Sequence, residues 1–421
     1  MAPILPNQSG TNQGDCPTMS PATADPRLIA VRRAPKRRIR LSWSDPVFRA
    51  IVWQVVIVGI VAAIAWYLID NTAKNLAQRH IATGFAFLDR VAGIPIGESL
   101  IAYNPAVSTY GRALLIGVLN TLQVAVIGII LATILGTVIG IGRLSKNWLL
   151  SKLTAFYVEV LRDIPLLLQL LFWYTILQGL PAPRQALHIG KAFFLTNRGM
   201  RVPLLDWQPA HSWALLAFAI GAIGTGIWRR HATRQQEATG RRPTSWPVAL
   251  GLLIGLPVVV WAVLGAPFTL VLPVLKGFNF QGGGTISPEY FALLVGLVTY
   301  TASYIAEIVR SGIQAIPKGQ WEAAEALGLR PGAVLRHIIL PQALRVIIPP
   351  MTSQYLNLTK NSSLAIAIGF QDVVSIANTT LNQTGQAIEG IAYIMAVYLT
   401  ISLSISLFMN WYNARIALVE R

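Results

Sequence analysis

One lysine, Lys360, lies within residues 343–368, a run apolar enough to cross a membrane, and can bind an anionic group there. A lysine inside a membrane helix costs roughly 2.5–3.5 kcal/mol, so such a residue is a functional candidate. Its ammonium could meet a substrate carboxylate, while Asn361 and Ser362 could supply hydrogen bonds. The alternative is a structural lysine that binds a backbone carbonyl or a partner helix.

Further ionisable side chains lie near the ends of two other apolar segments. Glu307 and Arg310 are three residues apart, so they can pair on one helix face. Glu159 and Arg162 lie at the corresponding end of an earlier segment. For these four residues a structural or gating ion pair is favoured over substrate contact. Gln169 can either line a path through the membrane or form a hydrogen bond between packed helices.

The composition indicates that membrane helices position these side chains. Of 421 residues, 54% are apolar and only 12% are charged, with a mean hydropathy of +0.54. Soluble domains carry about 25% charged residues. Uncharged runs such as 51–69 and 114–141 reach the ~20 residues that cross a bilayer as a helix. The sequence therefore predicts an all-α, polytopic membrane protein. Cys16 is the only cysteine, which excludes an intrachain disulfide.

The charge distribution predicts the topology. Most Lys and Arg residues fall in segments that lie inside if the N-terminus is cytoplasmic, so both termini are predicted to be cytoplasmic. The net charge of +17 is then mainly a topology signal, and its spread over separate segments does not favour nucleic-acid binding. Eight membrane helices are predicted at about 47–69, 111–141, 153–178, 213–228, 246–267, 289–309, 343–368 and 388–411. The mixed segments 70–110 and 179–212 suggest short surface helices, and residues 281–288 a turn.

The segment between the sixth and seventh predicted helices combines a short helix with a turn. Residues 322–327 are good helix formers, and Gly328 can end that helix because glycine tolerates positive φ. A Pro-Gly pair then predicts a turn, and residues 334–340 can lie along the membrane face. Pro341 is placed to begin the next helix, where its missing N–H costs nothing.

This segment resembles the EAA loop of ABC importer permeases, the membrane subunits of ATP-driven importers. The family pattern is Glu-Ala-Ala, three residues, Gly, nine residues, then Ile-x-Leu-Pro. It is matched at the family spacing by Glu322, Ala323, Ala324, Gly328, Ile338, Leu340 and Pro341. The resemblance implies a five-helix type I importer core, in which Glu322, Ala323, Ala324, Leu327 and Gly328 contact a separate ATPase subunit.

Other stretches are similar to the polar amino-acid branch of this family. They are YVEVLRDIPLLLQLLFWY, YIAEIVRSGIQAIPKGQWEAA and LNLTKNSSLAIAIG. The type suggested is the larger permease of a general L-amino-acid importer, which has two extra helices inserted in the core. In relatives the last stretch contributes to an amino-acid site in mid-membrane. Asn361 stands where the pattern has Asp, which weakens selectivity for basic amino acids and fits a broader range.

The resemblance implies five parts along the chain and several partners. The parts are a disordered basic tail (1–46), a first membrane helix with a periplasmic segment (47–110), a first core part (111–178), an inserted region (179–288) and a second core part (289–421). No phosphate-binding loop, G-x-x-x-x-G-K-[ST], accompanies them, so ATP and Mg are expected on a partner ATPase and no cofactor or metal in this chain. A second permease, in a heterodimer, and a periplasmic solute-binding protein complete the expected assembly in the bacterial inner membrane.

Two rival functions make different predictions. An ion-coupled secondary amino-acid transporter is expected to have internal repeats with broken helices at matching positions, and no convincing repeat is found. A membrane anchor for a cytoplasmic complex has no use for a lysine in mid-membrane. The favoured function is a non-enzymatic permease that works by alternating access.

Overall fold

The computed structural model describes Trp43 and residues 46–78, 83–190, 192–240 and 243–416. Cys16 and almost all of the predicted basic tail, residues 1–46, lie outside the described residues. The chain divides into two units, Met1–Arg79 and His80–Arg421. In the first unit, helix α1 spans Pro46–Gln78 and is long and apolar enough to cross a membrane.

The second unit consists mainly of helices. In chain order they are α2 (Tyr110–Arg143), α3 (Trp148–Asp163), α4 (Leu166–Gln178), α5 (Pro209–Thr239), α6 (Trp246–Leu250), α7 (Leu256–Val263), α8 (Pro288–Gln314), α9 (Lys318–Ala326), α10 (Pro331–Val334), α11 (Leu340–Asn361), α12 (Val373–Thr384) and α13 (Ala387–Ile416). Short 3-10 segments lie at Ala86–Asp89, Pro183–Gln185 and Ser362–Ile368, and π turns at Gly251–Gly255 and Leu335–Ile339. Among the described residues, seven helices can span a membrane, or eight if α3 and α4 count as one bent span. The predicted polytopic helical architecture is confirmed.

The prediction of one continuous helix over residues 153–178 is wrong, because this segment forms two helices. Helices α3 and α4 meet at an angle of 104°. Pro165 lies at the break, and Ile164 before it has extended backbone angles. A proline disfavours the helical conformation of the preceding residue and lacks an N–H for the helical ladder, so the break follows from the local sequence.

The inserted region contains strands as well as helices, so the prediction of surface helices in 179–212 and a turn at 281–288 is largely wrong. The strands are β1 (Leu187–Ile189), β2 (Phe193–Thr196), β3 (Gly199–Val202), β4 (Leu204–Leu205), β5 (Leu270–Val271), β6 (Val274–Lys276), β7 (Asn279–Gln281) and β8 (Gly284–Ile286). The larger sheet is antiparallel, in the order β1-β2-β3-β8. Strand β8 leads directly into α8, whose N-cap is Ser287. Phe194 and Leu195 of β2 lie opposite Arg201 and Met200 of β3, a cross-strand pairing that short helices would not allow.

Of the two membrane helices predicted in the insertion, the first is longer than predicted and the second matches its predicted span. Helix α5 covers 31 residues instead of 213–228 and therefore includes the arginines that follow the apolar run. At 1.5 Å per residue it is about 46 Å long, which exceeds the ~30 Å hydrocarbon layer. Helices α6 and α7 are joined by a π turn into one span, Trp246–Val263, which agrees with the fifth predicted span.

Helices α2 and α8 pack closely at the centre of the second unit. Gly136 and Gly140 face α8, and a Cβ atom on either would lie within 2.9 Å of an α8 atom. For Gly136 the obstructing atoms are the Cβ of Ile305, at 2.7 Å, and the carbonyl oxygen of Ala302, at 2.8 Å. Small residues let helix backbones approach in this way. The Gly-x-x-x-Gly spacing in the sequence is therefore used for packing.

We expect Gly136→Ala to destabilise the permease by roughly 1–3 kcal/mol, because an extra methyl in a filled contact forces the helices apart. The higher helix propensity of alanine offsets part of this loss. Gly226→Ala in α5 is the control, since no described atom beyond the local backbone of α5 lies within 4 Å of its added Cβ. Melting of the detergent-purified protein measures both. Equal melting temperatures for Gly136→Ala and the wild type would contradict the packing.

Candidate functional site

The short helix α9 has one buried and one exposed side. Ala324 is buried, with 2% of its surface exposed, in the same apolar cluster as Ile339. Glu322 and Ala323 are exposed, and Leu327 has 78% of its surface exposed. The packed side holds the helix against its own chain, and the exposed side is free to contact another protein.

The end of α9 follows the prediction, but the segment after it does not. Gly328 has φ +69° directly after the C-cap residue Leu327, as expected for a glycine that ends a helix. The predicted turn at Pro331 is wrong, because this proline is the first residue of α10. Pro341 lies in the first turn of α11, as predicted, but no break precedes it: α10, the π turn and α11 form one continuous helical stretch. The π turn lies just before Pro341, where the missing N–H interrupts the regular hydrogen-bond ladder.

An ion cluster joins α2 to α8 near their C-terminal ends. Arg310 donates to Glu307 through Nε at 3.3 Å and through a terminal nitrogen at 2.5 Å, so this predicted pair is present. Arg143 on α2 also donates to Glu307. The Arg143 contact was missed by sequence reasoning because 164 residues separate the two partners. Only the packing of α2 on α8 brings them together.

A cleft of about 430 Å³ lies beside this cluster and holds the predicted residues of α3. Glu159 and Arg162 both line it, together with Asp163 and Tyr304. In the described part of the chain, neither Glu159 nor Arg162 forms an ion pair. Arg162 instead places its guanidinium carbon 4.9 Å from the centre of the Tyr304 ring, a cation–π contact. The cleft therefore exposes both signs of charge.

Gln169 is buried at the break between α3 and α4, where its side-chain nitrogen donates to the carbonyls of Leu161 (2.8 Å) and Ile164 (3.0 Å). Its carbonyl oxygen has no hydrogen-bond partner among the described residues. These bonds satisfy the end of α3, so the side chain supports the bend. Of the two roles left open by the sequence, the hydrogen bond between helices describes this geometry.

Lys360 lies in the last turn of α11, not in the middle of a regular helix, because α11 ends at Asn361 and continues as a 3-10 segment. Its side chain is exposed and has no ion-pair partner in the part of the chain that the structure describes. The partial negative charge at a helix C-terminus favours a cation there. Ser362 is buried and donates its hydroxyl to the Thr359 carbonyl at 2.8 Å, so that hydroxyl proton is already used.

A buried carboxylate that the sequence did not single out begins α12. Asp372 has no exposed surface, and its Oδ1 accepts from the Ser375 backbone N–H at 2.8 Å. The Tyr398 hydroxyl donates to Oδ2 at 3.4 Å. Burial raises the pKa of Asp372 to about 6. A polar residue ahead of a helix predicts an N-cap, but its complete burial depends on the packing of α2 and α13 around it.

We expect the stability of the permease to fall as the pH rises from about 4 to about 6, because the folded state keeps a proton on Asp372 that the unfolded state releases. The contribution is present below pH 4 and lost above pH 6, and reaches at most ~3 kcal/mol. Asp372→Asn keeps an N-cap acceptor and removes the titration. Melting at pH 4.5 and pH 7 should therefore show a smaller pH difference for the variant. An equal difference in both proteins would contradict the assignment.

Comparison with known proteins identifies the class of this chain. Residues 249–418 match the family described as binding-protein-dependent transport system inner membrane component. The general L-amino acid transport system permease protein AapQ of Rhizobium johnstonii is 50% identical over 91% of this chain and 96% of its own length. The chain belongs to this permease family. The putative amino-acid ABC transporter permease YhdX of Escherichia coli is also 50% identical, over 90% of this chain and 97% of its own. The glutamate/glutamine/aspartate/asparagine transport system permease BztB of Rhodobacter capsulatus is 43% identical, over 92% and 98%.

The family assignment confirms the class predicted from the EAA loop and the resemblance to the larger permease of general L-amino-acid systems. This ABC permease is a multi-span component of an inner-membrane transporter and not an enzyme. The relatives give no support to an ion-coupled secondary transporter. The roles of individual residues remain predictions.

Proposed function

We propose that this permease imports L-amino acids together with an ABC ATPase, a second permease and a periplasmic solute-binding protein. The names of three relatives that align over nearly their whole length support amino acids as cargo. One of them is named for both acidic amino acids and amides, which fits a broad range and the presence of Asn361.

The observation that carries the proposal is the two-sided helix α9. Its buried Ala324 ties it to the segment leading into α11, and its exposed side includes Glu322 and Ala323, followed by the exposed C-cap residue Leu327. We assign this exposed side, ended by Gly328, to contact with the ATPase. Closure of the ATPase would then move α9 and, through the continuous helical stretch behind it, α11. ATP and Mg bind to that partner, since this chain lacks a phosphate-binding loop.

The ion cluster is proposed to stabilise one of two states of an alternating-access path. Arg143 on α2 and Arg310 both bind Glu307 on α8. Breaking the contact from α2 would let these helices separate at this end. Because Arg143 and Glu307 are partly buried, separation of α2 from α8 would restore the hydration of both charged groups. This hydration lowers the free-energy cost of breaking the ion pair.

A second permease is proposed to cover the exposed side of α11. Lys360 and the exposed Asn357 lie on a helix that crosses the membrane, where exposure of a charge to lipid is costly. A partner subunit can enclose these residues in a polar path between the two proteins. The inserted region 179–288 favours a heterodimer with a shorter chain. In this arrangement the N- and C-termini and α9 lie in the cytoplasm, following the charge rule.

Reconstitution of the complex tests the proposal. The permease is co-expressed with its neighbouring transport genes, purified by a tag on this chain, and placed in proteoliposomes containing ATP. We expect the ATPase and a second permease to co-purify, and L-amino acid uptake to require both ATP and loaded binding protein. Uptake driven by an ion gradient without ATP would overturn the proposal.

A further inference from the structure

A second, larger cavity lies at the opposite end of α8 from the ion cluster. Its volume is about 920 Å³, and it is lined by the loop of residues 95–100, by Asn120 and Gln123 of α2, and by the N-terminal end of α8. We call it the outer cavity. Glu289 at this end and Glu307 in the cluster are 18 residues apart on one helix, or about 27 Å. In the proposed orientation the outer cavity faces the periplasm.

The inserted region supplies part of the wall of the outer cavity. Leu204, Gly284 and Thr285 line it from strands of the insertion. Strand β8, which contains two of them, continues into α8. The insertion therefore shapes a chamber against the permease core, which gives residues 179–288 a role that the sequence did not indicate.

The charged residues that line the outer cavity are all acidic, although the net charge of the whole chain is +17. Its lining residues include two carboxylates, Glu98 and Glu289, and no Lys, Arg or His. The nearby Arg201 is outside the lining, where it donates to the hydroxyl of Thr285. The cleft beside the ion cluster, by contrast, contains arginines as well as acids. A cationic group is therefore favoured in the outer cavity.

The loop that carries Glu98 is held in place by side chains from other elements. Glu98 accepts the Ser287 backbone N–H at 2.6 Å, and its own carbonyl accepts from Asn120 at 3.0 Å. Gln371 accepts the Gly97 N–H at 2.7 Å and donates to the Pro95 carbonyl at 2.5 Å. These contacts hold one carboxylate oxygen of Glu98 against the start of α8, and the Ser287 side chain lies beside the same carboxylate. The position of the carboxylate is thus built into the fold.

A buried hydroxyl beside the same residues also lacks a partner. Tyr290 is buried, and its Oη has no hydrogen-bond partner among the described residues. This tyrosine lies next to Gln123, in the electrostatic field of Glu98, and its ring contacts Phe370, with centroids 5.8 Å apart. All three neighbours line the outer cavity. Burial, together with the Glu289 carboxylate, raises the pKa of Glu98, so a bound cation would stabilise its charged form.

We propose that the outer cavity is a receiving site for cargo, in which Glu98 and Glu289 bind the ammonium group of an amino acid released by the binding protein. The volume lies within the range of small-molecule sites and is far larger than a bare metal ion needs. The inference rests on the proposed function for its cargo and orientation. It adds a site at the periplasmic end, separate from Lys360, where the ammonium and not the carboxylate is recognised.

Charge-removing variants in the complete transporter test this site. Glu98→Gln keeps an acceptor for Ser287, and Glu289→Gln keeps one for the Tyr174 hydroxyl, which now donates at 3.1 Å. We expect ATP-driven uptake of L-glutamine by the double variant, at saturating loaded binding protein, to fall about tenfold. This fold-change corresponds to the loss of one charge-assisted hydrogen bond. Glu389→Gln is the matched control, because that carboxylate also accepts a backbone N–H, from Gly84 at 2.7 Å, but does not line the cavity.

Direct binding separates recognition from a structural role. Saturation-transfer NMR on the same complex in nanodiscs, without binding protein, compares L-glutamine with N-acetyl-L-glutamine, which has no ammonium. We expect transfer to L-glutamine in the wild type and its loss in the double variant, with little transfer to the acetylated compound in either. Equal saturation transfer to L-glutamine and N-acetyl-L-glutamine, or unchanged transfer to L-glutamine in the double variant, would contradict the proposed site. If the wild type itself imports no L-amino acid, the proposed function fails instead.

Discussion

Replacing Glu322 by lysine is expected to stop ATP-driven uptake while leaving the permease in the membrane. The side chain is exposed on α9 and the helix is held by buried Ala324, so the substitution should leave the fold unchanged. Reversing a charge at a protein interface costs roughly 2–5 kcal/mol, which corresponds to a loss of more than tenfold. Uptake in proteoliposomes and ATP hydrolysis stimulated by loaded binding protein should both fall.

Glu237→Lys provides the control for this experiment. Glu237 is also exposed and lies near the end of α5, far from α9 in sequence. Its replacement by lysine changes the net charge by the same amount as Glu322→Lys. It should insert, purify and transport like the wild type. Normal uptake by Glu322→Lys would show that α9 does not couple to the ATPase. A loss shared by both variants would point to net charge instead of the docking contact.

The second large effect is expected for Lys360→Met, which removes the charge but keeps a long, flexible side chain. If the ammonium binds the cargo carboxylate, its removal costs roughly 1.5–3 kcal/mol, or about tenfold to a hundredfold in uptake. Lys360→Arg retains the charge and should keep part of the activity. Uptake at saturating loaded binding protein measures the effect.

The structural alternative for Lys360 predicts a different result. A lysine that pairs with a carbonyl or partner helix should, when replaced by methionine, weaken assembly with the second permease and lower the melting temperature. Co-purification and melting of the complex are therefore measured beside uptake. Loss of uptake in a fully assembled, equally stable complex supports cargo binding. Normal uptake by Lys360→Met contradicts it.

Together, the outer cavity and the ion cluster suggest how charge is arranged along α8. The charged residues that line the outer cavity are both acidic, and both signs of charge line the cleft at the other end. Between them lies an apolar cluster that includes Leu293, Leu297 and Leu170. An amino acid would first have its ammonium recognised and would later meet arginines.

Local features of the sequence were sufficient for several parts of the fold. The apolar runs predicted the membrane helices, and glycine at position 328 predicted the end of α9 through its positive φ. The spacing of Glu307 and Arg310 predicted their pair, because residues three apart on a helix are neighbours whatever surrounds them. The break after α3 was missed, although Pro165 marked it, because the residues on both sides of the proline are helical.

The sequence by itself determined the class of this protein: the EAA spacing, the apolar runs and the distribution of Lys and Arg are all local properties of the chain. Only the tertiary structure placed Arg143 against Glu307, buried Asp372 beside Tyr398, and enclosed Glu98 and Glu289 in one cavity. These contacts join residues from different helices or loops, and helical periodicity carries no information about which elements pack together. The strands of the insertion were missed for the same reason, since each is only two to four residues long and depends on its neighbours.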